Sequence, residues 1–213
     1  MMDTNEIKWL FFDVGGTLVD EKEAFRRRIR ETIAIQKALG NEYTEEQLET
    51  AMRLAALAGK SYFRGAMKSL GLSRFAPYDA VGEALYPEAK AVLKVLSEKY
   101  RLGIIANQPE GTEKRLVQYG VRSYFSLILS SAEEGLEKPA PALFLRALDR
   151  AGCKPSEAVM IGDRPDNDIR PAKALGMKTI RITQGLGGMM PVLCDDMRAD
   201  HTILRLNDLI KIL

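Results

Sequence analysis

The sequence predicts an α/β fold, a parallel sheet with helices on both faces, plus an inserted small all-helical cap domain. Three observations lead there. Short apolar runs recur along the chain, each ending in polar or glycine-rich turn residues. Segments with helical spacing separate them, the alternation expected of parallel strands joined by crossover helices. One long helical stretch, residues 21–85, breaks that alternation.

The first run, residues 7–12, ends at Asp13 and the pair Gly15-Gly16, as a buried strand closing in a tight turn does. Further runs lie at 102–106, 127–130, 158–161 and 179–182, with a last strand at 201–204 and a closing helix at 206–213. Between them, residues 116–119 follow Gly111-Thr112-Glu113 with helical spacing, and residues 141–148 open with a proline suited to a first helical turn. Residues 168–175 end at Gly176, which suits a helix C-terminus. The order describes a Rossmann-like core. In the insertion, Ala24, Phe25, Ile29, Ile33 and Leu39 recur at near-helical spacing. Residues 45–57 follow Thr44, with Gln47 three positions on, a capping-box pattern, and a third helix surrounds Phe63, Met67 and Leu70. The insertion is too long for a simple connection. Residues 1–20 and 86–213 are therefore assigned to the core and 21–85 to the cap.

Bulk properties narrow the functions. The chain has 213 residues, 46% apolar and 28% charged, and a net charge of +2. That charge is too small to argue for nucleic acid or an acidic membrane, and no apolar run approaches the roughly 20 residues that span a bilayer. Residues 1–8 lack the pattern of an export signal. Cys153 and Cys194 are isolated thiols without metal-ligand spacing. The expectation is a cytoplasmic protein without a disulfide framework. The cluster Arg26-Arg27-Arg28 with Arg30 reads as a solvated helix face near Glu23 and Glu31, with attraction of an anionic substrate as the second reading.

Four pieces fall where parallel strands should end, the edge at which ligands bind in open α/β sheets. They are Asp13-Val14-Gly15-Gly16-Thr17, Ala106-Asn107-Gln108, Lys138-Pro139, and Gly162-Asp163 with Asp168. Singly, each has an ordinary structural reading, as a turn residue, a helix cap or a solvated lysine. Together, three carboxylates converging on one edge repel unless a cation neutralises them. Oxygen ligands with room for water and phosphate favour Mg²⁺, and Lys138 adds positive charge for a phosphoryl group.

The order and setting of these pieces resemble the haloacid dehalogenase superfamily, most of whose members are phosphatases. The resemblance covers nearly the whole chain, including the helical insertion after the first motif. It implies Asp13 as nucleophile and metal ligand, with Gly15 (through its carbonyl) and Asp163 completing the metal set. It implies Gly16, Thr17, Ala106, Asn107 and Lys138 at the phosphate, with Thr17 bracing the loop. Lys138 would orient the nucleophile, and Asp168 would secure either the metal's waters or Lys138. The implied partner is a small phosphorylated substrate, with no nucleic acid and no membrane; the substrate's organic part and the oligomeric state stay open.

Two departures stand out. Phosphatases of the family carry a second Asp two residues after the nucleophile, which protonates the leaving alcohol and activates water; here that residue is Gly15. A positioned acid or base contributes about 10²–10⁴-fold in rate. Ala106 stands where the family places Ser or Thr, and losing that hydrogen bond typically costs about 1–3 kcal/mol. Asp20 or Glu21, at the start of the cap, could replace the acid; without a replacement, aryl phosphates should outpace alkyl ones. The alternatives are a catalytically weak or non-catalytic phospho-ligand binder, and a dehalogenase-type or phosphonatase-type hydrolase. The phosphonatase type would need a cap lysine, Lys60 or Lys68, to form a Schiff base. A receiver-like phosphoacceptor is disfavoured by the large insertion. The glycine-rich 185–188 stretch reads as a loop rather than a dinucleotide site.

Overall fold

The computed structural model describes residues 6–213, so the reading of residues 1–8 as no export signal falls largely outside the described residues. The chain opens with β1 (Trp9–Phe12) and forms a two-stranded antiparallel ribbon from β2 (Val19–Asp20) and β3 (Ala84–Leu85). It continues through β4 (Arg101–Ala106), β5 (Phe125–Ser130), β6 (Ala158–Gly162), β7 (Lys178–Ile182) and β8 (His201–Ile203). Apart from the ribbon, the strands form one six-stranded parallel sheet in the order β5-β4-β1-β6-β7-β8.

Strand β1 lies at the centre, and its four residues are all buried because both faces of the sheet are covered. Leu10 and Phe12 pack on one side with Val92, Leu93 and Leu96 of α4 (Ala89–Ser97). Trp9 and Phe11 point to the other side, against Leu143, Phe144 and Ala147 of the helix Pro141–Ala151. The period-2 alternation of a strand thus feeds two separate cores.

Three helices fill the connection between β2 and β3: α1 (Lys22–Ala38), α2 (Glu45–Leu57) and α3 (Tyr62–Ser69). The capping box at Thr44 forms as expected, Thr44 Oγ1 accepting from Gln47 N–H and Gln47 Oε1 from Thr44 N–H. These helices bury an apolar cluster of their own, centred on Ile29, Leu48, Met52, Phe63 and Met67. The remaining helices follow β4 and later strands: α5 (Thr112–Gln118), α6 (Ser131–Glu134), α7 (the Pro141–Ala151 helix), α8 (Arg170–Ala174) and α9 (Leu209–Ile212). Among the described residues no helix is long and apolar enough to cross a membrane.

Three local readings need correction. Helix α4 was not assigned from sequence, although Val92, Leu93 and Leu96 carry its buried stripe. The helix expected over 168–175 begins only at Arg170, because residues 165–169 form a wider π-type turn that brings the Asp168 carboxylate back to the Arg164 N–H. The arginine cluster is also split. Arg26, Arg27 and Arg30 form surface ion pairs with Glu23, Glu31 and Glu45, whereas Arg28 turns inward, its guanidinium 3.5 Å from the Phe63 ring centroid.

Gly103 on β4 is the register partner of Phe11. A Cβ there would stand 2.7 Å from the Phe11 ring atoms Cδ1 and Cε1. Gly103→Ala should cost about 1–3 kcal/mol, the usual range for overpacking a tight core. Urea unfolding should show a lower midpoint, and a Phe11→Leu change in the same chain should recover part of the loss.

Candidate active site

The charged residues singled out in the sequence meet at the edge where β1, β4 and β6 end. Asp13 follows β1, and its N–H is held by the Ile161 carbonyl of β6 at 2.9 Å. Lys138 arrives from the segment after α6, and its ammonium is buried. It donates to Asp13 Oδ1 at 2.8 Å, to Asp168 Oδ1 at 2.6 Å and to the Ile105 carbonyl at 3.0 Å. Three acceptors for three N–H bonds satisfy the ammonium completely. Burial alone would lower its pKa, but Asp13 and then Asp168 outweigh burial and raise it. The other oxygen of Asp168 accepts the Arg164 N–H at 2.9 Å. Asp168 thus meets Lys138, one of its two implied partners.

Asp163 is different. It is 1% exposed, and neither carboxylate oxygen has a hydrogen-bond partner among the described residues. Burial first, then the charges of Asp168 and Asp13, drive its pKa well above the usual carboxylate range. One oxygen each from Asp13, Asp163 and Asp168 lie within 4.8 Å of one another. A buried carboxylate with two unused oxygens, beside two more carboxylates, fits a hard cation with oxygen ligands. The backbone is shaped around it: a Cβ on Gly16 or Gly187 would overlap the Asp163 carboxylate, and one on Gly162 would overlap Asp168.

Known proteins of similar sequence and fold identify the family. Residues 7–176 match the haloacid dehalogenase-like hydrolase family. The chain belongs to that family. It is 31% identical to the glyceraldehyde 3-phosphate phosphatase of Methanocaldococcus jannaschii, over 97% of this chain and 96% of that one. It is 38% identical to the phosphoserine phosphatase of Thermus thermophilus, over 54% of this chain and 47% of that one. A predicted phosphoglycolate phosphatase of Haemophilus somnus superposes with a TM-score of 0.74 at 22% identity, over 98% of both chains, a likeness of fold. The protein is thus a phosphatase-like hydrolase of the family.

The remaining expected residues are placed less uniformly in this hydrolase. A cavity of about 90 Å³ is lined by Asp13, Gly15, Glu21, Asn107, Lys138 and Asp163, among others. Of the five residues implied at the phosphate, Asn107 and Lys138 line it. The N–H groups of Gly16 and Thr17 are instead committed to the Val19 and Val14 carbonyls, which close the turn. The Thr17 hydroxyl is buried and without a partner among the described residues, and the Thr17 carbonyl accepts from Gln184 Nε2 at 2.9 Å. Ala106 is fully buried and its methyl belongs to the apolar core. Asn107 clamps the Lys138 backbone from both sides, accepting from its N–H at 2.7 Å and donating to its carbonyl at 2.8 Å. That leaves one amide hydrogen of Asn107 for another acceptor.

Several residues escaped the sequence reading. Arg164 and Asn167 also line the cavity. Buried Arg181 donates to the carbonyls of Asp163, Gly187, Gly188 and Met190, and so ties the discounted 185–188 loop against Asp163. An arginine inside the apolar run of β7 was the available signal. Asp20 and Glu21 part company. Asp20 Oδ1 accepts the Lys22 N–H at 2.9 Å, an ordinary turn contact. Glu21 reaches the cavity, its Oε1 accepting from Tyr78 Oη at 2.8 Å. Burial pushes the Glu21 carboxyl up to about 8, against the lowering effect of that hydrogen bond.

Removing the Lys138 ammonium would leave Asp13 and Asp168 buried without their shared partner. Lys138→Met should cost about 3–5 kcal/mol, as breaking a buried ion pair from one side does. Chemical denaturation without added metal measures it, and Asp168→Asn in the same chain should restore part of the stability.

Proposed function

We propose that this hydrolase is a Mg²⁺-dependent phosphatase acting on a small phosphorylated metabolite through an aspartyl-phosphate on Asp13. One observation carries the reading: Asp13 Oδ1 is pinned by Lys138 inside the cavity, which leaves Oδ2 as the oxygen free to attack phosphorus. A carboxylate held in one orientation has little reorganisation left to do before attack. The remaining amide hydrogen of Asn107 and the side chain of Asn167 are the donors proposed for the phosphate oxygens, while the Lys138 ammonium, its own donors already used, contributes charge beside them. Mg²⁺ fits the donor set of Asp13, the Gly15 carbonyl and Asp163, where it would neutralise carboxylate and phosphate charge that Lys138 alone does not balance. The phosphatase names of the relatives support a phosphate monoester as substrate.

The same reading treats residues 21–85 as a cap over a core formed by 1–20 and 86–213. The β2–β3 ribbon, where the chain leaves and rejoins the core, is the natural joint. A second cavity of about 480 Å³ lies between the helices and the core, lined by Phe25, Ile29, Met52, Tyr86 and Leu186 among others. It shares Glu21, Tyr62 and Asp163 with the smaller one and is the proposed site of the substrate's organic group. The phosphonatase alternative loses support, because Lys60 and Lys68 are exposed and neither lines the cavity at Asp13.

Two measurements test the proposal. In a panel of phosphate monoesters with and without Mg²⁺, Asp13→Asn should lower turnover roughly 10⁴-fold or more, as loss of a nucleophile does. Turnover that survives this change excludes Asp13 as the nucleophile. Separately, Asp163→Asn should raise the melting temperature of the metal-free protein by removing an unpaired buried carboxylate, and should abolish the further rise that Mg²⁺ gives the wild type. An unaltered Mg²⁺ response would remove Asp163 from the metal set.

A further inference from the structure

Gly15 leaves the family's proton-transfer position without a side chain, yet its backbone does not call for glycine, since its φ lies outside the left-handed region. What marks the position is its neighbour. A Cβ on Gly15 would stand 2.6 Å from both Cδ and Oε2 of Glu21 and 2.7 Å from Oε1. The volume that a side chain at position 15 would enter already holds the Glu21 carboxylate. The chain brings it there by folding back: Gly15 bridges to Val19, and Glu21 follows two residues later as the first residue before α1.

From this juxtaposition we propose that Glu21 is the general acid and base of the reaction, supplied from the start of α1 in place of an aspartate at position 15. The proposal rests on the phosphatase reading above. Glu21 lines both the small cavity that holds Asp13 and the larger one proposed for the organic group. A group at that junction is where the oxygen bridging phosphorus and leaving group has to lie. The hydrogen bonds behind Glu21 suit two roles. Tyr78 Oη is 2.8 Å from Glu21 Oε1 and 2.5 Å from Glu83 Oε1, but it has one hydrogen to give. Glu83 is already served by Tyr119 Oη at 2.9 Å and lies 3.8 Å from Arg115 Nε. With the Tyr78 hydrogen on Glu83, Glu21 must contribute its own proton to the contact and is an acid. With that hydrogen turned to Glu21, Glu21 is a carboxylate. Rotation of one hydroxyl therefore accommodates both forms.

In the first step Asp13 Oδ2 forms a bond to phosphorus as the ester P–O bond breaks, and the Glu21 proton passes to the departing oxygen, releasing the alcohol. In the second, the Glu21 carboxylate takes a proton from water as the water oxygen attacks the aspartyl-phosphate. Inorganic phosphate leaves, Asp13 is regenerated and Glu21 is protonated again.

The test compares p-nitrophenyl phosphate with the alkyl phosphate that the wild type turns over fastest, using wild type, Glu21→Gln, Gly15→Asp, and Gly15→Asp combined with Glu21→Ala. The wild type should turn over both esters. Glu21→Gln should lose about 10²–10⁴-fold on the alkyl ester. On the aryl ester, whose leaving group needs no proton, it should release about one equivalent of p-nitrophenol in a burst before slow turnover; the burst also shows that the variant is folded and carries its nucleophile. Gly15→Asp alone should displace the flexible Glu21 carboxylate, and removing Glu21 in the same chain should return alkyl turnover at least tenfold above Glu21→Gln. Equal losses on both esters without a burst, an unaffected Glu21→Gln, or a wild type active on aryl but on no alkyl phosphate would each overturn the assignment. In all three cases wild-type turnover that is lost in Asp13→Asn leaves the phosphatase reading standing. A wild type that hydrolyses neither ester overturns both.

Discussion

Lys138 between Asp13 and Asp168 is the contact on which the site depends. Lys138 is 3% exposed, and an ammonium on so buried a residue costs several kcal/mol unless its partners are close and its three donors are used; here both conditions hold. Much of the nearby architecture serves to keep it there. Asn107 fixes the Lys138 backbone to the end of β4. Glu134, the last residue of α6 and four positions earlier in the chain, is gripped by Arg146 and Arg150 of α7, which holds the approach to Lys138 against that helix. Charge balance sets the next constraint. Among the described residues, three carboxylates face one ammonium in this cluster, and Asp163 is the member left without a hydrogen bond. Each feature follows from the difficulty of holding charge in a buried place.

Close approach of backbone to carboxylate is the second constraint. Gly16, Gly162 and Gly187 come from three separate segments, and a methyl group on any of them would overlap Asp163 or Asp168. Their spacing in the chain is irregular, so no local motif joins them. What they share is a side-chain volume already occupied. The loop carrying Gly187 is held in place by Arg181, whose donors serve carbonyls of that loop and of Asp163 itself. The glycine-rich stretch set aside as a plain loop is thus a wall of the site.

The legible parts of the sequence were those whose cause is local. Apolar runs marked the six strands of the parallel sheet, and the Thr44–Gln47 pair marked the start of α2 to the residue. The charged groups at strand ends could be collected because a parallel sheet brings all its C-terminal ends to one edge. Less legible was anything decided by what lies across a gap. Gly103 accommodates Phe11 from the neighbouring strand, and Arg28 turns under Phe63 although its neighbours Arg27 and Arg30 pair at the surface. Asn107 read as a phosphate ligand, but much of its hydrogen-bonding capacity goes to the Lys138 backbone, a contact 31 residues away in the chain.

Position 15 shows why such gaps matter when a motif is read one residue at a time. By itself the glycine counts as a lost aspartate, and restoring the aspartate looks like the obvious repair. The Glu21 carboxylate lies where that side chain would go, so the two positions cannot both carry an acid without displacing each other. Gly15 and Glu21 therefore form one unit, and the effect of changing either depends on the other. An aspartate introduced alone would push the Glu21 carboxylate aside, so its effect would mix that displacement with the value of a missing acid. Only when Glu21 has first been removed does the substitution address the chemistry.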